Sequence, residues 1–578
     1  MDKKQVASIL GEMGTILEIQ GANPFRTRAF QNGAIIISGL AEDLRELTES
    51  NRLTEIDGIG KGLAEIISSL VTTGTSREYE DLRQSLPPGL LEIVKIPGIG
   101  PKRVKLLYDR LGIETVAQLK EAAENHIISE LDGFGEKSEQ KILRGIERLK
   151  KSSDKHHIDK ALDAAKRVCD VLRKIAEVGQ CEVAGSLRRR KEVIGDIDIV
   201  VSAGENDRKN IMSTFVSLGE QVIGQGDTKS SIALKEGMNC DLRIVSETEF
   251  PFAMNYFTGS KEHNVEMRSL ARKKGWSLNE YAFTPIEGMV QRAKPAKFRD
   301  EADIYSFLGL KYIPPELREN LGEFEAAREG PLPSLIGEED LQGTFHCHTN
   351  YSDGSNSLEE MTKAAKAKGW KYWGVSDHSR AAAYAGGMTQ EKAKSQLKAM
   401  DKLNRETQGI RIFKGIECDI MADGSLDFPD RFLASYEFVV ASIHGKFNMT
   451  EAEGTKRLIK AIKNKYVSMI GHPTGRLLLS RDGYPVNMNE VIQAAADYRK
   501  VIEINAHPYR LDLDWRLVRL ARQKKVVIAI NPDAHNIDGL NDVQYGIGIA
   551  RKGWLEKKNV LNAWTPEKVE KFFKDQKQ

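Results

Sequence analysis

The sequence predicts a multidomain α+β and α/β protein, and three observations carry that reading. The chain has 578 residues and a mass of 64.6 kDa, which at about 150 residues per domain suggests three or four units. Apolar residues recur three and four apart through roughly the first 155 residues, with glycine between the runs, so that part reads as helical. From Cys181 the texture changes to short β-rich runs, and beyond about residue 335 short apolar strands alternate with helical stretches. That last alternation predicts a parallel βα architecture compatible with a barrel.

Composition narrows the class. The chain is 40 % hydrophobic, 29 % charged and 7 % aromatic, which suits folded domains rather than a disordered chain. Lys plus Arg number 85 against 83 Asp plus Glu, so the net charge is only +2. A basic coat over the whole surface is excluded, and any nucleic-acid site must be a local patch. No stretch approaches the roughly 20 apolar residues needed to span a bilayer. The opening MDKKQVASILGEMG lacks the apolar core and cleavage site of a signal peptide. Five widely spaced cysteines (Cys169, Cys181, Cys240, Cys347 and Cys418) form no CxxC pair and read as reduced thiols. The expected location is the cytoplasm.

The first helical stretch shows its period in VASILGEMGTILEI and GLAEIISSLV; the second follows the break Leu86-Pro87-Pro88-Gly89. A short pattern recurs in them: Ile56-Asp57-Gly58-Ile59-Gly60, Ile96-Pro97-Gly98-Ile99-Gly100 and Leu131-Asp132-Gly133-Phe134-Gly135, each followed by a lysine-bearing turn and an apolar helix. Two glycines permit a tight turn that aims backbone N–H groups outward at a helix N-terminus. Such a turn can hold a phosphate without reading a base. A single copy would be an ordinary glycine-stopped turn, whereas three in succession resemble helix-hairpin-helix motifs. Gly58, Gly60, Gly98, Gly100, Gly133 and Gly135 are therefore the candidate DNA-contacting residues.

The middle of the chain carries the densest chemistry. Gly185-Ser186-Leu187-Arg188-Arg189-Arg190-Lys191 leads into Gly195-Asp196-Ile197-Asp198-Ile199-Val200. Asp196 and Asp198 are two apart in a strand-like run, so both carboxylates face one side. Co-facing carboxylates call for a cation, and Mg²⁺ prefers carboxylate oxygens plus substrate phosphates. A pair of such ions can activate an attacking oxygen and stabilise a leaving one. Gly185 lets backbone approach a triphosphate, Ser186 offers a hydroxyl, and Arg189 a bidentate fork. Asp241, in NCDLRIV, is a third strand carboxylate.

With these residues in view, residues 1 to about 318 resemble a family X DNA polymerase, related to the repair polymerase beta. The segment Asn255-Tyr256-Phe257-Thr258-Gly259-Ser260, with His263-Asn264, Arg268 and Asn279-Glu280-Tyr281, matches that family's nucleotide-binding segment. The resemblance implies that Asp196, Asp198 and Asp241 hold catalytic Mg²⁺, and that Gly185, Ser186, Arg189 and Gly195 meet the triphosphate. It implies that Tyr256, Phe257 and Gly259 line the sugar pocket, Asn264 meets the base edge and Arg268 the templating strand. Two positions depart from the pattern. Ile66 stands where lyase-competent relatives carry a Schiff-base lysine, and an isoleucine cannot form an imine. Lys261 stands where the family often stacks an acidic side chain on the nucleotide.

Seven of the 11 histidines follow residue 340. His346 and His348 share one strand face, then come Asp353, His378, Glu417, His444, His472, Asp533 and His535, most of them after a short apolar run. A barrel displays its active site at such strand ends. The mixture of imidazole and carboxylate favours Mn²⁺, Zn²⁺ or Fe²⁺ over Mg²⁺. From about 341 to 575 the chain resembles a PHP domain, a distorted (β/α)7 barrel holding up to three ions, here Mn²⁺ or Zn²⁺. By that resemblance these nine residues are its ligands. Arg476 and Arg510 are candidate phosphate clamps, and His507 reads as a packing residue.

The resemblances divide the chain into an 8-kDa-like helical domain (1–80), a helix-hairpin-helix fingers-like domain (81–155), a nucleotidyltransferase palm (156–250), a thumb-like nucleotide-binding domain (251–318), a linker (319–340) and a PHP nuclease domain (341–578). The expected activity is gap-filling DNA synthesis in base-excision repair, acting on gapped or primed DNA and dNTP as a nucleoid-associated monomer. A metal-dependent 3'-5' exonuclease accompanies it, with cutting at abasic sites or 3'-end processing. Two other readings are a polymerase whose PHP module is a small-molecule phosphatase, and a DNA-end scaffold without catalysis.

Overall fold

The computed structural model describes residues 1, 3–40, 43–56, 58–96, 98–152, 154–292, 297–330 and 332–578. Asp57 and Pro97 of the hairpin motifs, and Pro331 of the expected linker, lie outside the described residues. The chain divides into two compact units: residues 1–153 with 353–361 and 535–538, and residues 154–352 with 362–534 and 539–578.

The first unit is helical. Its leading helices Lys3–Gln20, Pro24–Gly39 and Lys61–Thr73 bury Leu10, Met13, Leu17, Ile37, Ile67 and Leu70 in one core. A second core gathers Leu90, Ile93, Val104, Leu107, Leu119 and Ile142 from the helices between Gly89 and Ser152. The spacing of apolar residues anticipates this, because positions three and four apart share one helical face.

The second unit begins with helix Ile158–Leu172 and a five-stranded sheet. Its strand order is Gln180–Val183, Asp196–Ser202, Asn239–Val245, Lys229–Ala233, Gln221–Gln225. Only the central pair, Asp196–Ser202 with Asn239–Val245, is parallel; the other pairs are antiparallel. Helices Phe250–Thr258 and Lys261–Lys273 follow, then the hairpin Trp276–Leu278 with Phe283–Pro285. The 319–340 stretch, expected to link domains, is packed at Glu323, Phe324, Ala327 and Ile336. Helix Glu323–Glu329 seats Phe324 and Ala327 in the apolar core of the preceding segment, and Ile336 N–H donates to the Leu555 carbonyl.

Seven parallel strands then follow in sequence order: Gly343–Thr344, Tyr372–Val375, Arg411–Asp419, Phe438–Ser442, Met469–Ile470, Val501–Asn505 and Ile528–Asn531. They are near-continuous runs of buried residues, as strands covered on both faces must be. The first and last edges meet through a parallel bridge, Cys347 to Ala534, which nearly closes a barrel. Phe345, Phe413, Phe438 and Phe573 fill its interior at one end. All five cysteines are buried and unpaired by disulfide, as their spacing suggests. Among the described residues no helix is long and apolar enough to cross a membrane.

Candidate active sites

The parallel pairing at the centre of the five-stranded sheet sets Asp198 directly opposite Asp241. Asp196, two residues earlier on the same strand, shares the face of Asp198, while Ile197 and Ile199 point into the core. Like charges on adjoining strands repel, and nothing but a cation or a proton relieves that repulsion on a half-buried face. The Asp198 carboxyl is accordingly pushed up to about 7, by burial first and then by the Asp196 and Asp241 charges. Lys229 Nζ, 3.1 Å from Asp241 Oδ2, supplies the nearby positive charge. The donor set of three carboxylates on one sheet face fits hard divalent cations.

Gly185 opens the short helix Gly185–Arg188 with φ 62°, and a β-carbon there would collide with Asp198. The helix thus lies against the carboxylate strand only because its first residue has no side chain. Ser186 is half-buried on the same turn. Gly195 precedes the carboxylate strand, with Lys155 Nζ 2.6 Å from where its β-carbon would be. Arg188 donates to Thr258 Oγ1 and to Glu301 Oε2, both at 2.7 Å. Arg189 is buried, donating to the Thr258 carbonyl at 2.8 Å and to Glu319 Oε1 at 3.1 Å.

The segment 256–268 continues this surface. Tyr256 and Phe257 meet edge to face at 5.1 Å, and the Arg243 guanidinium lies 5.1 Å over Phe257. Asn264 Nδ2 donates to the carbonyls of Tyr256 at 2.7 Å and Gly259 at 3.3 Å, so it braces that turn. Gly259 has no room for a side chain, since a β-carbon would stand 2.6 Å from Asn264 Oδ1. Arg268 is exposed and lines an open basic cavity of about 710 Å³ with Arg272, Lys273 and Ser277. Lys261 is exposed at the start of its helix. His263 is a core residue: it is fully buried between Glu323 and the Tyr305 hydroxyl, both at 2.9 Å, and burial holds its pKa below the usual range.

In the hairpin turns, Gly58, Gly98 and Gly133 all have φ near 90°, as a left-handed turn requires. Gly60 and Gly100 cap helices Lys61–Thr73 and Pro101–Leu111, and Gly135 immediately precedes Glu136–Ser152. A β-carbon on Gly60, Gly98, Gly100, Gly133 or Gly135 would meet nothing within 4 Å, so the backbone there is open to a close ligand. Ile66 is buried in the core of the first unit.

The barrel gathers its histidines around one carboxylate. Glu417, on strand Arg411–Asp419, lies 2.8 Å from His378 Nδ1, 3.0 Å from His472 Nε2, 3.2 Å from His444 Nε2 and 3.3 Å from His346 Nε2. Among the described residues of the second unit, three groups are compact enough to share an ion each: His346 with Glu417 and His472, His346 with His348 and Asp533, and His378 with Glu417 and His444. Burial raises the Glu417 carboxyl, but His444, His346 and His378 outweigh it and hold it well below the usual range. His346 Nε2 and Glu417 Oε2 are buried without an aligned hydrogen bond, which is costly in a folded protein unless an ion completes them. The nitrogen and oxygen donors fit transition-metal ions. His472 and Asp533 both have positive φ, 25° and 53°, a strain that tends to collect at functional sites. Asp353 Oδ2 lies 3.3 Å from His535 Nε2.

Other residues that the sequence did not single out hold these side chains in place. Glu503 accepts from His346 Nδ1 at 2.7 Å, the His472 N–H at 3.1 Å and Asn531 Nδ2 at 2.9 Å. Asp419 meets His444 Nδ1 at 3.2 Å, and Asn505 donates to Asp533 Oδ2 at 2.9 Å. Of the two candidate clamps, Arg510 Nε reaches to 3.6 Å from Asp533 Oδ2, while Arg476 is tied to Asp514 and the Arg510 carbonyl, both at 3.0 Å. His507 accepts from the Tyr509 N–H and stacks edge-on to that ring, which is packing.

Comparison with known proteins agrees with both halves. Family models match for a helix-hairpin-helix domain over residues 1–76, a SAM-like helix-hairpin-helix tandem over 90–148, the DNA polymerase beta thumb over 253–319 and the PHP domain over 344–507. The "DNA polymerase/3'-5' exonuclease PolX" of Bacillus subtilis (strain 168) is 38 % identical over 576 residues, covering 99 % of this chain and 100 % of that protein. A "Probable phosphatase" of Caldicellulosiruptor bescii is 33 % identical over 204 residues, 34 % of this chain and 80 % of that protein. Another from Caldicellulosiruptor saccharolyticus is 32 % identical over the same length and shares. With a relative of this identity aligned from end to end, the chain belongs to the bacterial family X DNA polymerases that carry a C-terminal PHP domain.

Proposed function

We propose that the chain is a DNA-directed DNA polymerase that adds deoxynucleotides to primer ends at the Asp196, Asp198 and Asp241 face, and a 3'-5' exonuclease at the barrel histidines. The observation that carries the first activity is the in-register pairing of Asp198 with Asp241 beside Asp196. These three would hold Mg²⁺, which lowers the barrier by neutralising developing charge on the attacking and leaving oxygens. The protein's part is positioning: Ser186 and Arg189 orient the triphosphate, Tyr256 and Phe257 wall the sugar, and the hairpin glycines seat the duplex backbone.

For the second activity, His346, His348, Asp353, His378, Glu417, His444, His472, Asp533 and His535 would hold up to three Mn²⁺ or Zn²⁺ ions. Arg510, whose Nε lies 3.6 Å from Asp533 Oδ2, would take the scissile phosphate. The pairing of a synthetic and a degradative centre suits filling of short gaps in base-excision repair, with blocked or abasic ends trimmed first. The expected acting form is a monomer.

The test is an extension and digestion assay on a gapped duplex. Asp196→Asn is expected to abolish extension and spare digestion, and His346→Ala with His348→Ala to do the reverse. Loss of both activities in either folded variant would overturn the assignment of separate centres. Likeness to proteins named as phosphatases favours one other reading of the barrel, a small-molecule phosphatase. Phosphate release from histidinol phosphate, compared with digestion of a 3'-labelled oligonucleotide, separates the two.

A further inference from the structure

Helix Val543–Lys552 of the barrel ends on a lysine that no metal or nucleotide explains. Lys552 is almost completely buried, and its Nζ donates to Glu319 Oε1 at 2.8 Å and to the Glu316 carbonyl at 3.3 Å. The Trp515 ring lies 4.7 Å beneath it. The same Glu319 oxygen accepts from Arg189 Nε at 3.1 Å, and Oε2 lies 3.6 Å from Lys191. One buried carboxylate is therefore shared between a barrel lysine and the arginine of the phosphate segment. Burial raises the Glu319 carboxyl, but Lys552 and Arg189 outweigh it and hold it ionised.

The barrel touches this segment at two further points. Arg551 Nε donates to Glu316 Oε1 at 2.7 Å. Arg190, in the left-handed region with φ 56°, packs on Gly548, where a β-carbon would stand 3.1 Å from Arg190 Cβ. The barrel helix thus supports the turn that follows Arg189 as well as the anion that Arg189 leans on.

We propose that Lys552 is a positioning residue for incoming-nucleotide binding, acting through Glu319 on Arg189. Glu319 answers three cations, Lys552, Arg189 and Lys191. The positive charge of Lys552 repels the Arg189 guanidinium, so the net hold on Arg189 is weaker with the lysine present, an effect that grows at low dielectric. With Lys552 in place, Glu319 orients Arg189 while leaving its guanidinium able to turn to a triphosphate. With the Lys552 charge removed, Glu319 is left to Arg189 and Lys191, its Oε1 holds Arg189 more tightly, and the arginine is withheld from the nucleotide. The inference rests on the reading of Arg189 as a triphosphate ligand.

The test is single-nucleotide insertion into a gapped duplex by the full chain, with kcat and KM separated, for Lys552→Met, Arg189→Ala and the double variant. Lys552→Met is expected to raise the dNTP KM about tenfold with kcat within about twofold, a loss of about 1.4 kcal/mol in kcat/KM. Lys552→Arg, which keeps the charge, is expected to recover most of it. In the Arg189→Ala background Lys552→Met is expected to add nothing, because coupled residues are non-additive. Digestion of single-stranded DNA stays at the wild-type rate. Should Lys552→Met fail to fold by circular dichroism, Lys552→Gln takes its place in the same cycle. An unchanged KM, or effects that add in the double variant, overturns the proposal. An unchanged KM for Arg189→Ala overturns the nucleotide reading of Arg189 and the proposal with it; a raised one beside a silent Lys552 variant overturns the proposal alone.

Discussion

Gly185 lies so close beneath Asp198 that a β-carbon on it would stand 2.0 Å from the Asp198 Oδ2 atom. The glycine φ of 62° adds a second reason for no other residue, since L side chains are strained there. Gly185→Ala must therefore push the carboxylate, the helix or both. A displacement of about 1 Å at a reacting centre can cost on the order of a hundredfold. Gly185→Ala is expected to reduce primer extension by that order in a gapped-duplex assay, with nuclease digestion unchanged.

The pH response of the same carboxylate has a definite sign. Asp198 titrates near 7 in the folded protein against 3.8 for an ordinary aspartate. Between about pH 4 and pH 7 the folded chain keeps a proton that the unfolded chain has lost, so stability from this group is full below pH 4 and is lost as pH rises through 7. Asp198→Asn is expected to raise the melting temperature of metal-free protein at pH 8 and to change it little at pH 4. Mg²⁺ is expected to stabilise the wild type at pH 8 far more than at pH 5, because proton and cation compete. Thermal melts at these pH values with and without Mg²⁺ check both statements.

Glu503 anchors His346 Nδ1 and the His472 backbone together. Removing a carboxylate that orients a ligating histidine costs about 10–100-fold in metal affinity. Glu503→Gln is expected to weaken Mn²⁺ binding by that amount in a calorimetric titration of the full chain. Extension at the Asp196, Asp198 and Asp241 face should stay at the wild-type rate.

Ile66 is buried among Leu63, Ile67 and Leu70 on helix Lys61–Thr73. An aliphatic side chain there supplies no amine for imine chemistry. Borohydride trapping against a 5'-deoxyribose-phosphate end is expected to give no covalent adduct at this helix. An adduct mapped there by peptide mass would point instead to Lys61.

What the sequence displayed and what it hid follow one physical line. The Asp196–Asp198 spacing, the paired glycines of the hairpins and the histidines after apolar runs are local patterns, and short-range geometry turns them directly into a shared face, a turn or a strand end. Glu503 was hidden because VIEIN reads as an ordinary core strand, and its partner His346 lies 157 residues away. The signal was present all the same: an acidic side chain amid a buried parallel strand must find a partner. Lys552 and Glu319 gave no local sign at all, since their meaning is a contact between a barrel helix and the end of the thumb segment. The 319–340 stretch read as a spacer because its Pro, Gly and charge mark a break. Phe324 and Ala327 instead fasten it to the neighbouring core.

The joint of the barrel carries one last consequence. Its opening strand is only Gly343–Thr344, and the ends meet where His348 N–H bonds to the Ala534 carbonyl and Ala534 N–H to that of His346. His346 and His348 stand on one lip of that joint and Asp533 on the other, 3.5 and 3.1 Å apart. Whatever cation these side chains grip is also a rivet across the thinnest part of the hoop. Chelation should then show itself first as faster amide deuterium uptake along both lips, before catalysis is assayed at all.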